Sequence, residues 1–524
     1  MRRLRQSAVL SAVFLTAGAV LAACGGGGTD GGGSGGGGGS VTIGTTGTIT
    51  ALDPAGAYDL DSWNVISNIY QTLLVVPPGG GDPVPGAAKS CDYKTPKQLV
   101  CKLKPGQKFS NGHKLTSSDV KYTFDRMVKI ADPEGPSVLF SNLKNVQTPD
   151  PMTAVFNLKE PDATFQLILT GAESAIVDEQ AFPAGKLLKD DNVVGSGPYK
   201  LSQYKPGEQV VLQANKKYKG PKEPKTGNVF VRYYKEESTL KLAVQNGDVD
   251  VAYRNLSPQD INSLKKDDSV KVLQGSGAEI HYLVWYLKSG MGAKPAVRRA
   301  AAQIIDRKAV AQRAYDGTVE PLYSMVPDSF PSSVPAFTQE YGDSSVAKAK
   351  AILKKAGIKT PVPLTLGYNT DHYSANDLDM ADELRSQLNR SGLFKVKTDT
   401  AEWTQYQTLY KKGKYDTYIL GWFPDYLDPD DYISPFLVNG GFYQNGYKSA
   451  TAEKLIAKER PIADRTSPKA QKVFKQLQKL IAKDIPVIPV WKGKSIAVTG
   501  TDVHGVEKTL DPTYILRFWM ISKG

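Results

Sequence analysis

The run Tyr418-Ile419-Leu420-Gly421-Trp422-Phe423 carries no charge, is rich in β-favouring residues and is stopped by Pro424, which predicts a buried strand. Directly after it stand four carboxylates, Asp425, Asp428, Asp430 and Asp431. A carboxylate at the mouth of an apolar slot can neutralise an ammonium group entering that slot. Gly421 removes side-chain bulk where an extended peptide would lie along the strand, which leaves main-chain hydrogen bonding open as in strand addition. Asp428-Pro429 reads as an N-cap followed by proline at the first helical position, opening a helix with Tyr432 and Phe436. Asp425 precedes that cap, so its role is either a turn or a ligand contact.

The rest of the chain alternates strand and helix patterns, which predicts an α/β fold. Val41–Ile49 reads as a strand, and Ile66, Ile69, Tyr70, Leu73 and Leu74 follow at helical spacing. Thr116-Ser117-Ser118-Asp119 caps a helix with Val120, Phe124, Met127 and Val128 on one face. Ile280–Leu287 is a buried strand, Lys294–Tyr315 a helix, and Val346–Ala356 and Asp377–Arg390 are helices closed near Gly357 and Gly392. Val487–Trp491, Ile496–Thr499 and Ile515–Met520 are the last predicted strands, expected back in the first domain. At 524 residues, with 40% hydrophobic and 23% charged residues, the composition is that of a soluble globular protein of several units.

The N-terminus reads as a processing signal. Met1–Arg5 is basic, Ala8–Val20 is apolar but too short to span with stable flanks, and Leu21-Ala22-Ala23-Cys24 ends in small residues and cysteine. That ending looks like a bacterial lipoprotein box, implying a lipid on Cys24 and an extracytoplasmic, membrane-anchored protein. Residues 25–40 are almost wholly glycine and predict a flexible tether. In an oxidising compartment Cys91 and Cys101, on either side of a short polar turn, predict a disulfide, the alternative being two buried thiols. Removing Arg2, Arg3 and Arg5 with the leader takes three charges from +12 and leaves +9. The basic residues are spread along solvated faces, which argues against nucleic-acid binding.

Three phrases resemble one family: Gly421-Trp422 running into Asp425 and on through Asp428-Pro429-Asp430; LKPGQKFSNGHKLTSSDVKYTFDRM from Leu103; and Gly195-Ser196-Gly197-Pro198-Tyr199. They are similar to the extracytoplasmic oligopeptide and dipeptide receptors of ABC transporters, solute-binding protein family 5. The resemblance implies a two-lobed periplasmic-binding-protein-like fold with an extra domain, mixed sheets and a ligand cleft between the lobes. The expected divisions are a leader (1–23), a tether (24–40), domain I (41–78, 195–284 and 491–524), domain II (79–194) and domain III (285–490). The resemblance further implies that Asp425 takes a peptide's α-amino group and that the backbone of Gly421–Phe423 pairs with the peptide. Leu60 and its neighbours would line the cleft, and Trp403 and Trp422 would bound side-chain space, ordinary core packing being the alternative for each tryptophan.

Dipeptide receptors of this family clamp the ligand carboxylate with an arginine; here Asp371 and His372 fall at that place. This disfavours a strict dipeptide receptor, with His372 a weak ligand contact or a loop residue. The expected function is capture of peptides, oligopeptides above all, for delivery to an ABC permease by a monomer without cofactor or metal. The alternatives are a receptor for a metal chelate, sugar or opine, and, in another class, a surface hydrolase or adhesin. An enzyme is disfavoured by inventory. The four histidines are scattered, Ile488 stands where a phosphate loop ending at Lys494-Ser495 needs its first glycine, and Gly32–Gly36 lacks the strand and helix of a nucleophile elbow. Adjacent Asp430 and Asp431 diverge on a helix and cannot flank one glycosidic bond.

Overall fold

A computed structural model of the protein describes residues 39–524 except Lys222 and Ala375. The leader, Cys24 and the tether up to residue 38 lie outside the described residues. The first sheet has seven strands, in the order Val270–Gly275, Ser495–Gly500, Val251–Tyr253, Ser40–Thr45, Asn228–Tyr233, Gln209–Ala214 and Tyr199–Lys205. Ser40–Thr45 runs parallel to both its neighbours, and the remaining pairs are antiparallel. Beside it the helix Leu60–Ile69 starts at Asp59, whose side chain accepts from the Ser62 N–H.

A four-stranded antiparallel sheet, Ala88–Thr95, Gln98–Leu103, Thr153–Leu158 and Leu143–Asp150, packs on the helix Ser117–Ile130. Thr116 and Asp119 form the reciprocal capping box expected of that sequence. Cys91 and Cys101 face each other across the first pair and are joined as a disulfide. The buried Arg126 side chain makes two bonds to Asp53, 2.8 and 2.5 Å, tying this helix to the segment before Leu60.

The third sheet orders Glu320–Pro321, Val487–Lys492, Ile280–Trp285, Thr417–Trp422, Val362–Tyr368 and Phe394–Thr400. All six residues of Thr417–Trp422 are buried, as a strand without a polar face must be. It pairs along its whole length with Ile280–Trp285, but with Val362–Tyr368 only at Thr417 and Tyr418.

The strands divide differently from the expected domains at three places. Ile280–Trp285, expected to close domain I, is an interior strand of the third sheet and fully buried, so its apolar residues are needed on both faces there. Val487–Lys492 stays in the same sheet rather than returning to the first. Ile515–Met520 is not a strand; Leu516 and Phe518 give their N–H groups to the side chains of Asn64 and Asn68 on the Leu60–Ile69 helix, which satisfies the backbone without a neighbouring strand. The helix expected over Lys294–Tyr315 breaks into Pro295–Ile304 and Arg307–Arg313, because Asp306 caps the second piece by accepting from Lys308 and Ala309.

The chain therefore passes between the first and third sheets at residues 276–279 and again at Gly493-Lys494. The two crossings touch: the Gly493 N–H donates to the Glu279 carbonyl at 2.9 Å. A Cβ on Gly277 would meet the Tyr514 hydroxyl at 2.3 Å and the Gly493 carbonyl oxygen at 2.5 Å, so the crossings pack closer than any other residue allows. No helix among the described residues is long and apolar enough to cross a membrane.

Candidate functional site

Where Thr417–Trp422 leaves the third sheet, Phe423, Pro424 and Asp425 run between two cavities. Phe423 lines one of about 680 Å³ together with Arg254, Glu279, Asp371, His372 and Tyr514. Pro424 and Asp425 line the other, about 300 Å³, with Trp63, Ile66, Tyr70, Glu173 and Trp519. Among the described residues, nothing from the surrounding loops or side chains bonds the Phe423 N–H or carbonyl oxygen.

Asp425 accepts from the Tyr58 hydroxyl at 2.8 Å, and no lysine or arginine among the described residues forms an ion pair with it. Burial pushes its carboxyl up to about 7, against the Tyr58 hydrogen bond, which favours the charged form. Two further buried acids stand near. Asp431 accepts with Oδ2 from the Trp422 indole N–H and the Asp425 N–H, both at 3.0 Å, while its Oδ1 has no partner. Glu173 is 1% exposed and neither carboxylate oxygen has a hydrogen-bond partner. Burial, with the neighbouring Asp425 charge adding to it, holds both carboxyls well above the ordinary range. Each acid raises the cost of ionising the next, so the group as a whole favours an entering cation.

Asp428 and Asp430, in the same loop, are already occupied. Asp428 caps the short helix Pro429–Tyr432, as expected, and also takes two bonds from Arg465, 2.8 and 2.7 Å. Asp430 is held by the Tyr426 hydroxyl and lies 3.4 Å from Arg460.

The other expected site residues separate into two groups. Phe423 and His372 face the larger cavity, where the Arg254 guanidinium sits 4.8 Å over the Phe423 ring. His372, though exposed, stacks on Trp403 at 3.8 Å, and the partial loss of water around its ring, reinforced by the Arg254 charge, lowers it below the ordinary imidazole value against the opposing pull of Asp371. It is therefore a neutral wall at ordinary pH and a poor carboxylate partner. Asp371 is turned to the Asn369 amide and the Trp403 N–H.

Trp403, Trp422, Gly421 and Leu60 lie off both cavities. Trp422 packs on Phe436 and Phe442 at 4.9 and 5.4 Å, which is the core alternative weighed for it. The Cα of Gly421 is covered, since a Cβ there would meet His281 Nε2 at 2.7 Å and the Tyr373 ring at 2.8 Å; the glycine makes room for these side chains. Leu60 is the first residue of its helix and is buried in the core of the first sheet. From that segment it is Tyr58 and Trp63 that reach the site.

Residues that no pattern singled out complete the picture. Arg254 and Asn255 follow the strand Val251–Tyr253 with φ of 65° and 57°, a left-handed pair that turns the arginine into the larger cavity. Its Nη1 is 3.5 Å from Asp61 and makes no hydrogen bond. His281, beneath Gly421, lies between Asp377 at 3.1 Å and Glu279 at 2.9 Å and stacks on Trp491. Burial alone would lower it, but the two carboxylates outweigh that and raise it to about 9, so it is a fixed positive charge. Glu173 falls in a short turn without periodicity, and Tyr58 acts across 367 positions of sequence; neither leaves a local signal.

Residues 82–444 match the family described as bacterial extracellular solute-binding proteins, family 5 Middle. The chain belongs to that family. Among its relatives in family 5, a probable D,D-dipeptide-binding periplasmic protein of Escherichia coli (strain K12) is 26% identical over 488 residues, covering 89% of this chain and 90% of the relative. The periplasmic oligopeptide-binding protein of Salmonella typhimurium is 23% identical, covering 90% and 91%. Among solved structures, a periplasmic binding protein from Helicobacter pylori in complex with the peptide STSA has a TM-score of 0.78 at 22% identity, over 93% of this chain and 98% of that one. A binding protein in complex with agropinic acid has a TM-score of 0.77 at 22% identity, over 93% and 99%. These likenesses establish the family 5 fold, mixed α/β with several sheets.

Proposed function

We propose that this family 5 protein is the lipid-anchored receptor of an ABC importer, and that it captures peptides by their amino terminus. One observation carries the reading: a part-buried carboxylate, Asp425, opens on a cavity, has no cationic partner among the described residues, and stands two residues from the unengaged main chain of Phe423. An α-ammonium group supplies the missing charge, and the Phe423 N–H and carbonyl oxygen supply strand-like hydrogen bonds to the ligand backbone. The peptide-binding relatives named above support the same class of ligand. In this reading the first and third sheets form the cores of two lobes that close on the ligand, domain II rides with the first, and the closed monomer docks on the permease. Cys24 would carry the lipid and the glycine tether would give the body its reach.

A second reading is favoured by the larger cavity. With His372 neutral and Asp371 engaged nearby, no dipeptide carboxylate clamp stands at the expected place, and a structure of the same fold holds agropinic acid. Mass spectrometry of the ligand co-purified with the full chain separates the readings. A mixture of peptides is expected, and a single non-peptide solute would replace the first reading with the second.

A further inference from the structure

The smaller cavity contains more acid groups than one ammonium group needs. Asp425 and Glu173 both line it, and Glu173 is the more deeply buried of the two, its carboxylate folded against Gly171 with no hydrogen-bond partner for either oxygen. Among the described residues the cation that shares the wall, Arg517, is already held by Asp511 at 2.6 Å and by the Val76 carbonyl oxygen at 3.2 Å. Apart from these groups the described lining is mainly apolar and aromatic, with Trp63, Ile66, Ile515 and Trp519 prominent, and its polar members include Gln71, Thr72 and Thr170. No cluster of three or more metal-ligating side chains occurs among the described residues, so the arrangement lacks the donors for a metal ion. At about 300 Å³ the cavity is at the lower end of the range of roughly 300–1,000 Å³ usual for ligand sites, enough for one long side chain.

Resting on the peptide reading, we infer that this cavity is a selectivity pocket for a basic first residue of the ligand. The α-ammonium group sits on Asp425. The aliphatic stem of a lysine- or arginine-length side chain lies against the aromatic wall, and its charged end meets the Glu173 carboxylate. Burying a long hydrocarbon stem with a cation at its tip suits a pocket that is apolar along its length and acidic at one point. A first residue of the same length without the charge would fill the same space and leave Glu173 unanswered.

The test compares Lys-Ala-Ala with norleucine-Ala-Ala by calorimetry on the full chain, wild type and Glu173→Gln. The wild type is expected to bind the lysine peptide about tenfold or more tightly than the norleucine peptide. Glu173→Gln is expected to bring the two affinities together, and a cooperative thermal melt of the variant with a wild-type far-UV circular dichroism spectrum shows that it is folded. Equal affinities in the wild type, or a lysine preference undiminished in Glu173→Gln, would overturn the inference and leave the peptide reading standing. Failure of the wild type to bind either peptide or any tripeptide of a mixed library would remove the peptide reading and this inference with it.

Discussion

Asp425 and Asp428 are three residues apart in one loop, the first part-buried and the second buried, and they have opposite fates. Asp428 meets Arg465 with two hydrogen bonds, and Arg465 also bonds Glu459 at 2.6 Å. Asp425 meets a tyrosine hydroxyl and an empty space. A buried carboxylate that the fold has answered is architecture, whereas one left unanswered beside a cavity costs stability that a ligand can return. The same residue type in the same loop thus divides into scaffold and candidate site according to whether an arginine reaches it.

The contrast can be broken in both directions. Arg465→Ala leaves Asp428 and Glu459 charged and unpaired in the interior and is expected to destabilise the fold by about 3–5 kcal/mol in urea unfolding. Peptide affinity of the molecules that remain folded should be unchanged. Asp425→Ala should do the reverse, weakening peptide binding by about 2–5 kcal/mol in calorimetry with no loss of stability in the empty protein. Wild-type affinity in that variant would remove Asp425 from the mechanism.

Titration sharpens the comparison. Asp425 sits at about 7 when folded against an ordinary 3.8, so the folded empty protein holds a proton that the unfolded chain releases. This group therefore favours folding fully below the unfolded value, and the contribution is lost as pH rises through about 7. Asp425→Asn should melt above the wild type at a pH near 8 and lose that advantage near pH 4, as read by calorimetric melting. Binding has the opposite sign: an ammonium ligand needs the carboxylate, so affinity should rise from pH 5 toward 7 by up to about tenfold per unit, with proton release detectable by repeating the titration in buffers of different ionisation enthalpy. The smallest effect is expected from Tyr58→Phe. It removes one hydrogen bond to the charged form, worth about 1.5–3 kcal/mol at most, and should move the midpoint of the affinity profile to higher pH.

Much of this architecture was legible from sequence because its signals are local. The capping box at Thr116, the cap at Asp428 and the uncharged run before Pro424 each place an element from a few neighbouring residues. The site was legible only at its most local point, the acid after the strand. Trp422 and Gly421 looked like ligand walls because they flank that acid, yet the alternation of the strand turns one into the aromatic core and lays the other under His281 and Tyr373. Glu173 and Tyr58 come from distant segments, and a loop acid and a loop tyrosine have no periodicity to betray which of them the fold will bury. The boundary at Ile280–Trp285 was misjudged for a related reason: a run buried on both faces suits any interior strand, and only its pairing partners decide which sheet receives it.

The two crossings, tied by the Gly493 N–H and packed against Gly277, form one joined unit rather than two independent linkers. Because the Tyr514 hydroxyl accepts from both Ala278 and Glu279, and the Tyr514 ring meets Phe423 at 5.3 Å, one side chain feels both the joined crossings and the floor of the larger cavity. In the receptor reading proposed above, a ligand filling that cavity would press on the same tyrosine that holds the crossings, so occupancy and the angle between the lobes would be coupled through a single aromatic ring.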